Sequence, residues 1–152
     1  MSGTLTTTIS ESLTLNGATR GSTNVISTAN IVDTYERILT CTHSQTTTIA
    51  AFASTPHASA GNTRLDVENT KYVRVTNLST TEDIKIAIVT TNTNYQVTLR
   101  SGSSHILFQA EEGAIGEEDT TPAFGTLEDI TRIDVRPSAT TDAQVEIFVA
   151  LV

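Results

Sequence analysis

The chain has 152 residues and a formal charge of −8, enough length for one domain that buries roughly two-thirds of its unfolded surface without disulfide or metal staples. Thr occurs 30 times while Trp is absent and Met appears once; a β-branched, half-polar residue at that density suits pleated sheets that are packed on one side and wet on the other. The nine Lys and Arg are scattered with no run of three, which argues against a nucleic-acid stripe or a patch for anionic lipid.

The first 34 residues give short apolar alternations, Leu5 with Ile9, Leu13 with Leu15, Val25 with Ile26 and Ile31 with Val32, punctuated by Asn16-Gly17 and Gly21. Asn-Gly between such runs predicts a tight hairpin turn, because both positions accept positive φ. This segment is expected either as an extended N-terminal arm or as a part of the main body. A longer strand pattern follows from Tyr35 to about Thr42 and another from Thr47 to Ala53. Ser54 to Thr63, "STPHASAGNT", reads as a loop by its Pro, Gly and small polar residues.

The strongest β signal lies in "KYVRVTNLSTTEDIKIAIV", Lys71 to Val89, and in the run from Tyr95 to Arg100. Ile84, Ile86 and Ile88 alternate with Lys85, Ala87 and Val89, so a slip of one residue would turn the whole apolar set to the wrong face. A turn at Ser101-Gly102 leads to the strand "SHILFQA". The acidic stretch Glu111 to Thr126 is expected as an irregular loop, and "TLEDITRI", Thr126 to Ile133, holds the one plausible helical turn. Two closing strands follow, around Ile130 to Arg136 and Ala143 to Val152. Eight to ten strands at short, even spacing predict an all-β fold in a single domain over 1–152, an antiparallel β-sandwich of jelly-roll type, with immunoglobulin-like Greek-key topology as the alternative.

No stretch at the N-terminus has the basic and apolar regions of a secretory signal, and the longest apolar run, "IFVALV", is too short to span a bilayer. A soluble chain is expected, with no nucleic acid and no membrane among its partners. The terminal run Val145, Ile147, Phe148, Val149, Leu151 and Val152 is apolar on both faces, which predicts a strand covered on both sides.

Residues suited to chemistry are few. Cys41 is the single cysteine and reads as a small buried hydrophobe. His43, His57 and His105 lack HxH or HExxH spacing, and Cys41 two residues before His43 is too little for a zinc site. A Cys41–His43 dyad and a Ser103–His105 pair are formally available nucleophile and base combinations, but both are read as ordinary strand and turn residues. No nucleophile elbow, Walker loop or dinucleotide-binding glycine pattern occurs. Glu111, Glu112, Glu117, Glu118 and Asp119 could supply oxygens to Ca²⁺, yet they lack the alternating Asp spacing of a dedicated loop, so a solvated or partner-facing loop is expected. Asn77-Leu78-Ser79 fits the glycosylation triplet without a secretory context. A glycan- or receptor-binding module is a rival reading, weakened by the lack of Trp and by Tyr35, Tyr72 and Tyr95 lying within strand patterns. No catalytic, cofactor or metal residue is assigned.

The succession "KYVRVTNLSTTEDIKIAIV", "YQVTLRSGSSHILFQA" and "ITRIDVRPSATTDAQVEIFVALV" resembles a layout found in small virion proteins of tailed bacteriophages. There a strand ending near R-x-T-N-L leads into an aliphatic strand, an L-x-x-G-x-S turn and a closing pair with an A-x-V-E strand. The resemblance covers about Lys71 to Val152. It implies a non-enzymatic β-sandwich subunit located in the virion after assembly in the host cytoplasm, either a capsid decoration or cement protein or a tail, fibre or baseplate component. Its implied partners are the major capsid protein or other virion proteins, with a homo-oligomer expected and no cofactor.

Overall fold

Alternation in the sequence becomes strand in the computed structural model, which describes residues 1–56, 64–115, 125–138 and 140–152. Among these residues there are fifteen strands and no helix. Ten strands have four residues or more, matching the expected eight to ten; the rest are pieces of two or three residues. The fold is all-β with antiparallel sheets.

One sheet has five strands in the order Asn94–Leu99 (β10), Ile84–Val89 (β9), Arg132–Pro137 (β14), Thr47–Ala53 (β6) and Leu65–Asp66 (β7). The last contact, β6 with β7, is parallel and only two residues long. The other sheet has four, Ser104–Leu107 (β11), Thr70–Asn77 (β8), Ala143–Leu151 (β15) and Asp33–Cys41 (β5). Alternate residues point inward from both sheets and meet in one apolar cluster: Ile84, Ile86 and Ile88 of β9 and Ile133 and Val135 of β14 join Val73 and Val75 of β8 and Val145, Ile147 and Val149 of β15. Each is 1% exposed or less, and full burial of such a side chain is worth about 1.5–3 kcal/mol.

β15 lies between β8 and β5; its inner face is buried, while its outer face, expected to be covered as well, is so only in part, with Gln144 exposed and Glu146 and Phe148 half-buried. Its inner side chains belong to the core. On its outer face Ala150 is fully buried, and the Phe148 ring stands 6.0 Å from Tyr72, which in turn packs edge-on against Phe108 at 5.7 Å.

Leu13–Leu15 (β2) and Ala18–Arg20 (β3) form the predicted hairpin, with Asn16 and Gly17 at φ 51° and 77°. Gly3–Ser10 (β1) and Thr23–Ile31 (β4) continue it. The register runs unshifted from Leu5 opposite Thr28 to Leu15 opposite Ala18, making a ribbon roughly 40 Å long at about 3.4 Å per residue. No residue before Cys41 is buried; the ribbon adds nothing to the core.

Two expectations are corrected. Thr126 to Ile133 makes no helical turn: Leu127–Glu128 (β13) pairs with Ala114–Ile115 (β12), while the N–H groups of Ile130 and Thr131 donate to Ala110 O and Val89 O at 3.0 and 2.8 Å. Backbone donors committed to distant carbonyls cannot close a helix. The same β12–β13 pairing puts regular structure into the acidic stretch that was expected to be irregular.

Candidate functional site

The residues singled out by the sequence do not come together. Cys41 is fully buried; burial pushes its thiol pKa up, against a smaller downward pull from a Thr47 hydrogen bond. His43, two residues on, leaves the strand and turns its Nδ1 to Asp142 Oδ1 at 3.0 Å. Asp142 Oδ1 also accepts the His43 backbone N–H at 3.0 Å, and these two bonds, with the charge interaction, lower its carboxyl pKa against a smaller desolvation effect. Cys41 and His43 therefore serve a core and a turn rather than a dyad.

Ser103 gives its backbone to the turn, its N–H donating to Arg100 O at 3.0 Å and its carbonyl accepting from Asn77 N at 2.9 Å. His105 on β11 is half-buried and contacts Tyr95 instead, with Nε2 3.5 Å from the hydroxyl and the rings at 6.4 Å. Desolvation lowers the His105 pKa and raises that of Tyr95. Ser103 and His105 share no hydrogen bond.

Asn77 is fully buried, and its Nδ2 donates to Glu82 O at 2.7 Å and to Leu99 O at 3.2 Å. It is an internal clip between two turns, not a glycan acceptor. Of the acidic group, Glu111 and Glu112 are exposed, and Glu112 N donates to Asp129 Oδ1 at 2.9 Å; Glu117, Glu118 and Asp119 lie outside the described residues, as does His57. Among the described residues no group of three or more His, Cys, Asp or Glu could hold a metal ion.

The structure instead gathers polar groups on the outer face of the five-stranded sheet, in a concave cleft of about 540 Å³. Alternation puts the core side chains of β9, β10 and β14 inward and leaves Lys85 from β9, Asn94 and Gln96 from β10, and Arg132, Asp134 and Arg136 from β14 lining the cleft. Three of the nine basic residues thus share one face. A register shift between Ile133 and Asp134, where Ile133 opposes Ala50 but Asp134 opposes Thr48, leaves Ile49 as an extra residue on β6. Such a bulge kinks one strand and re-aims its side chains. Asp134, 8% exposed, is then held on both oxygens, by Thr48 Oγ1 at 2.6 Å and by Arg132 Nε at 2.9 Å.

Sequence reasoning missed this face because Lys85 and Arg132 are 47 positions apart. The available signal was parity: Arg132 and Arg136 share a side of one strand, and Lys85 falls on the polar side of the Ile84-Ile86-Ile88 alternation. In comparison with known proteins, the chain matches no family model, no curated protein and no solved structure.

Proposed function

We propose that the chain is a non-enzymatic structural subunit of a tailed-phage particle, a jelly-roll β-sandwich with a projecting hairpin, and that it decorates and cements the capsid by gripping neighbouring subunits. Strand order supports the jelly roll. With the eight long strands of the two sheets numbered in chain order, one sheet runs sixth, third, eighth, first and the other fifth, fourth, seventh, second before its short parallel edge. That alternation is the pattern of two interlocked Greek keys, an architecture used by viral capsid and lectin domains. Immunoglobulin topology fits less well, because β9 and β10 are the one pair of these strands both consecutive and hydrogen-bonded.

The fold does not choose a function; the hairpin carries this reading. A two-stranded ribbon alone in water is marginally stable at best, yet this one spans a continuous register and displays Ile9, Leu13, Leu15 and Val25, each 38% to 58% exposed. On one side of its stem Leu5, Thr7 and Ile9 stand opposite Thr28, Ile26 and Asn24. The Leu5, Ile9 and Ile26 side chains on that mixed side gain stability when another protein covers them, and many weak arms acting together hold a shell. The partner is the major capsid protein or another virion protein, with further copies of the chain alongside.

The test is to delete Met1–Asn30 and measure occupancy on particles lacking the native copy. The truncated body is expected to fold with a nearly unchanged melting temperature and to lose occupancy. Full occupancy would overturn the cement role. A tail or fibre component is the alternative within the same class, where the arm would join stacked subunits. A glycan- or receptor-binding module is the second reading, favoured by the polar cleft with Asn94, Gln96 and Arg132 on its wall.

A further inference from the structure

The cleft on the five-stranded sheet carries a charge arrangement that folding does not require. Lys85 on β9 stands directly opposite Arg136 on β14, both are exposed, and among the described residues neither has a carboxylate partner. Like charges facing each other across adjacent strands repel. The other sheet is arranged differently: on its outer face Arg74 lies 2.9 Å from Glu146 and is neutralised. Within the cleft the one carboxylate among the described lining residues is Asp134, and both its oxygens are taken by Thr48 and Arg132. Three cations against one carboxylate leave a local excess of positive charge on a chain whose formal total is −8.

We propose that this cleft binds an extended acidic polypeptide segment, with carboxylates meeting Lys85 and Arg136 at one end and Arg132 at the other. The spacing selects the ligand. Arg132 and Arg136 are four residues apart on one strand, about 14 Å at the rise of an extended chain, so a small anion reaches one end and not both. An extended segment with acidic residues four apart has the same repeat. Between the two ends lie Asp134, with both oxygens occupied, the small side chain of Ala87 and the amide of Gln96, while Asn94 stands level with Arg132; the two amides hydrogen-bond each other at 3.3 Å and present further donors and acceptors to a polar chain. Arg132 uses Nε on Asp134, leaving its Nη groups to form the two-pronged contact that guanidinium makes with a carboxylate. The volume lies within the range of ligand sites. A nucleic acid, with a charge every few ångströms, would meet the acidic remainder of the surface at each step. The proposal does not depend on the hairpin or on the particle assignment.

The experiment uses the full chain and a fluorescein-labelled decapeptide alternating Glu and Thr, followed by anisotropy at low salt. Controls are the same peptide with Gln for Glu, citrate, and a single-stranded oligonucleotide of equal charge. Binding of the Glu peptide is expected to weaken with salt and to fall about tenfold or more in Lys85→Gln/Arg136→Gln. Both positions are exposed, so this variant is expected to melt no lower than the parent. A second variant, Arg20→Gln/Arg100→Gln, makes the same change in net charge away from the cleft and is expected to bind as the parent does. The proposal fails if the Glu peptide does not bind, if the cleft variant binds like the parent, if citrate competes as well charge for charge, or if the oligonucleotide binds more tightly.

Discussion

Replacing Asn77 by Ala tests whether one buried amide holds one end of the molecule together. The side chain is fully buried: Nδ2 donates to Glu82 O at 2.7 Å and Leu99 O at 3.2 Å, and Oδ1 accepts from Ser79 N at 3.0 Å. It thereby ties the end of β8 to the turn before β9 and to the end of β10. Its own backbone reaches the next turn, with Asn77 N donating to Ser103 O and Asn77 O accepting from Gly102 N at 2.9 and 3.0 Å. A net hydrogen bond is worth about 1 kcal/mol, and a buried group left without a partner costs about 1–3 kcal/mol. Leu99 is 5% exposed, so its carbonyl has little access to replacement water, whereas Ser79 and Glu82 are half-buried and can be partly rehydrated. The expected loss is therefore about 2–4 kcal/mol, a fall in melting temperature of roughly 5–15 °C for a domain of this size. Urea unfolding followed by circular dichroism should show a lower midpoint with an unchanged slope, the mark of lost stability without altered compactness. A change below about 1 kcal/mol would refute the clip, because it would mean that water replaces all three bonds at little cost.

Gly21 has φ 123°, and a Cβ there would lie 2.0 Å from Glu11 O; Gly21→Ala should break the pairing of Leu13 with Arg20, seen as lost cross-strand NMR contacts, while the core melts within about 2 °C of the parent. The two hydrogen bonds from His43 hold the Asp142 carboxyl below its ordinary value, so this contact stabilises the fold above the usual carboxylate range and the contribution disappears as pH falls through the lowered value. Carbonyl-carbon NMR titration should find the Asp142 midpoint depressed in the parent and moved part of the way back in His43→Ala, which removes the ring contact and keeps the backbone N–H donor. Cys41, fully buried with its thiol pKa pushed up, should resist a disulfide reagent in the native state and react at once in urea; rapid native labelling would contradict the core placement.

By itself the sequence determined the strands, because their two faces were written in period two. Ile84, Ile86 and Ile88 against Lys85, Ala87 and Val89 allow one orientation on a core, and the strand found runs from Ile84 to Val89. Thr47 to Ala53 came out at its expected bounds, and Asn16-Gly17 made its hairpin, since positive φ at two successive positions is a local property. The helical turn at "TLEDITRI" failed for the opposite reason: its local pattern was weak, and hydrogen bonds from Ile130 and Thr131 to the carbonyls of Ala110 and Val89, distant in sequence, decided the outcome. Pairing partners lie outside any window of sequence, so tertiary structure alone decided that β14 would sit between β9 and β6. That choice set Arg136 opposite Lys85 and turned three scattered cations into one face. Cys41 was legible as a buried residue from its apolar neighbours, but the contact of His43 with Asp142, 99 positions away, was set by the tertiary structure, because only the packed sheets fix where β5 ends and what stands beside the residue that leaves it.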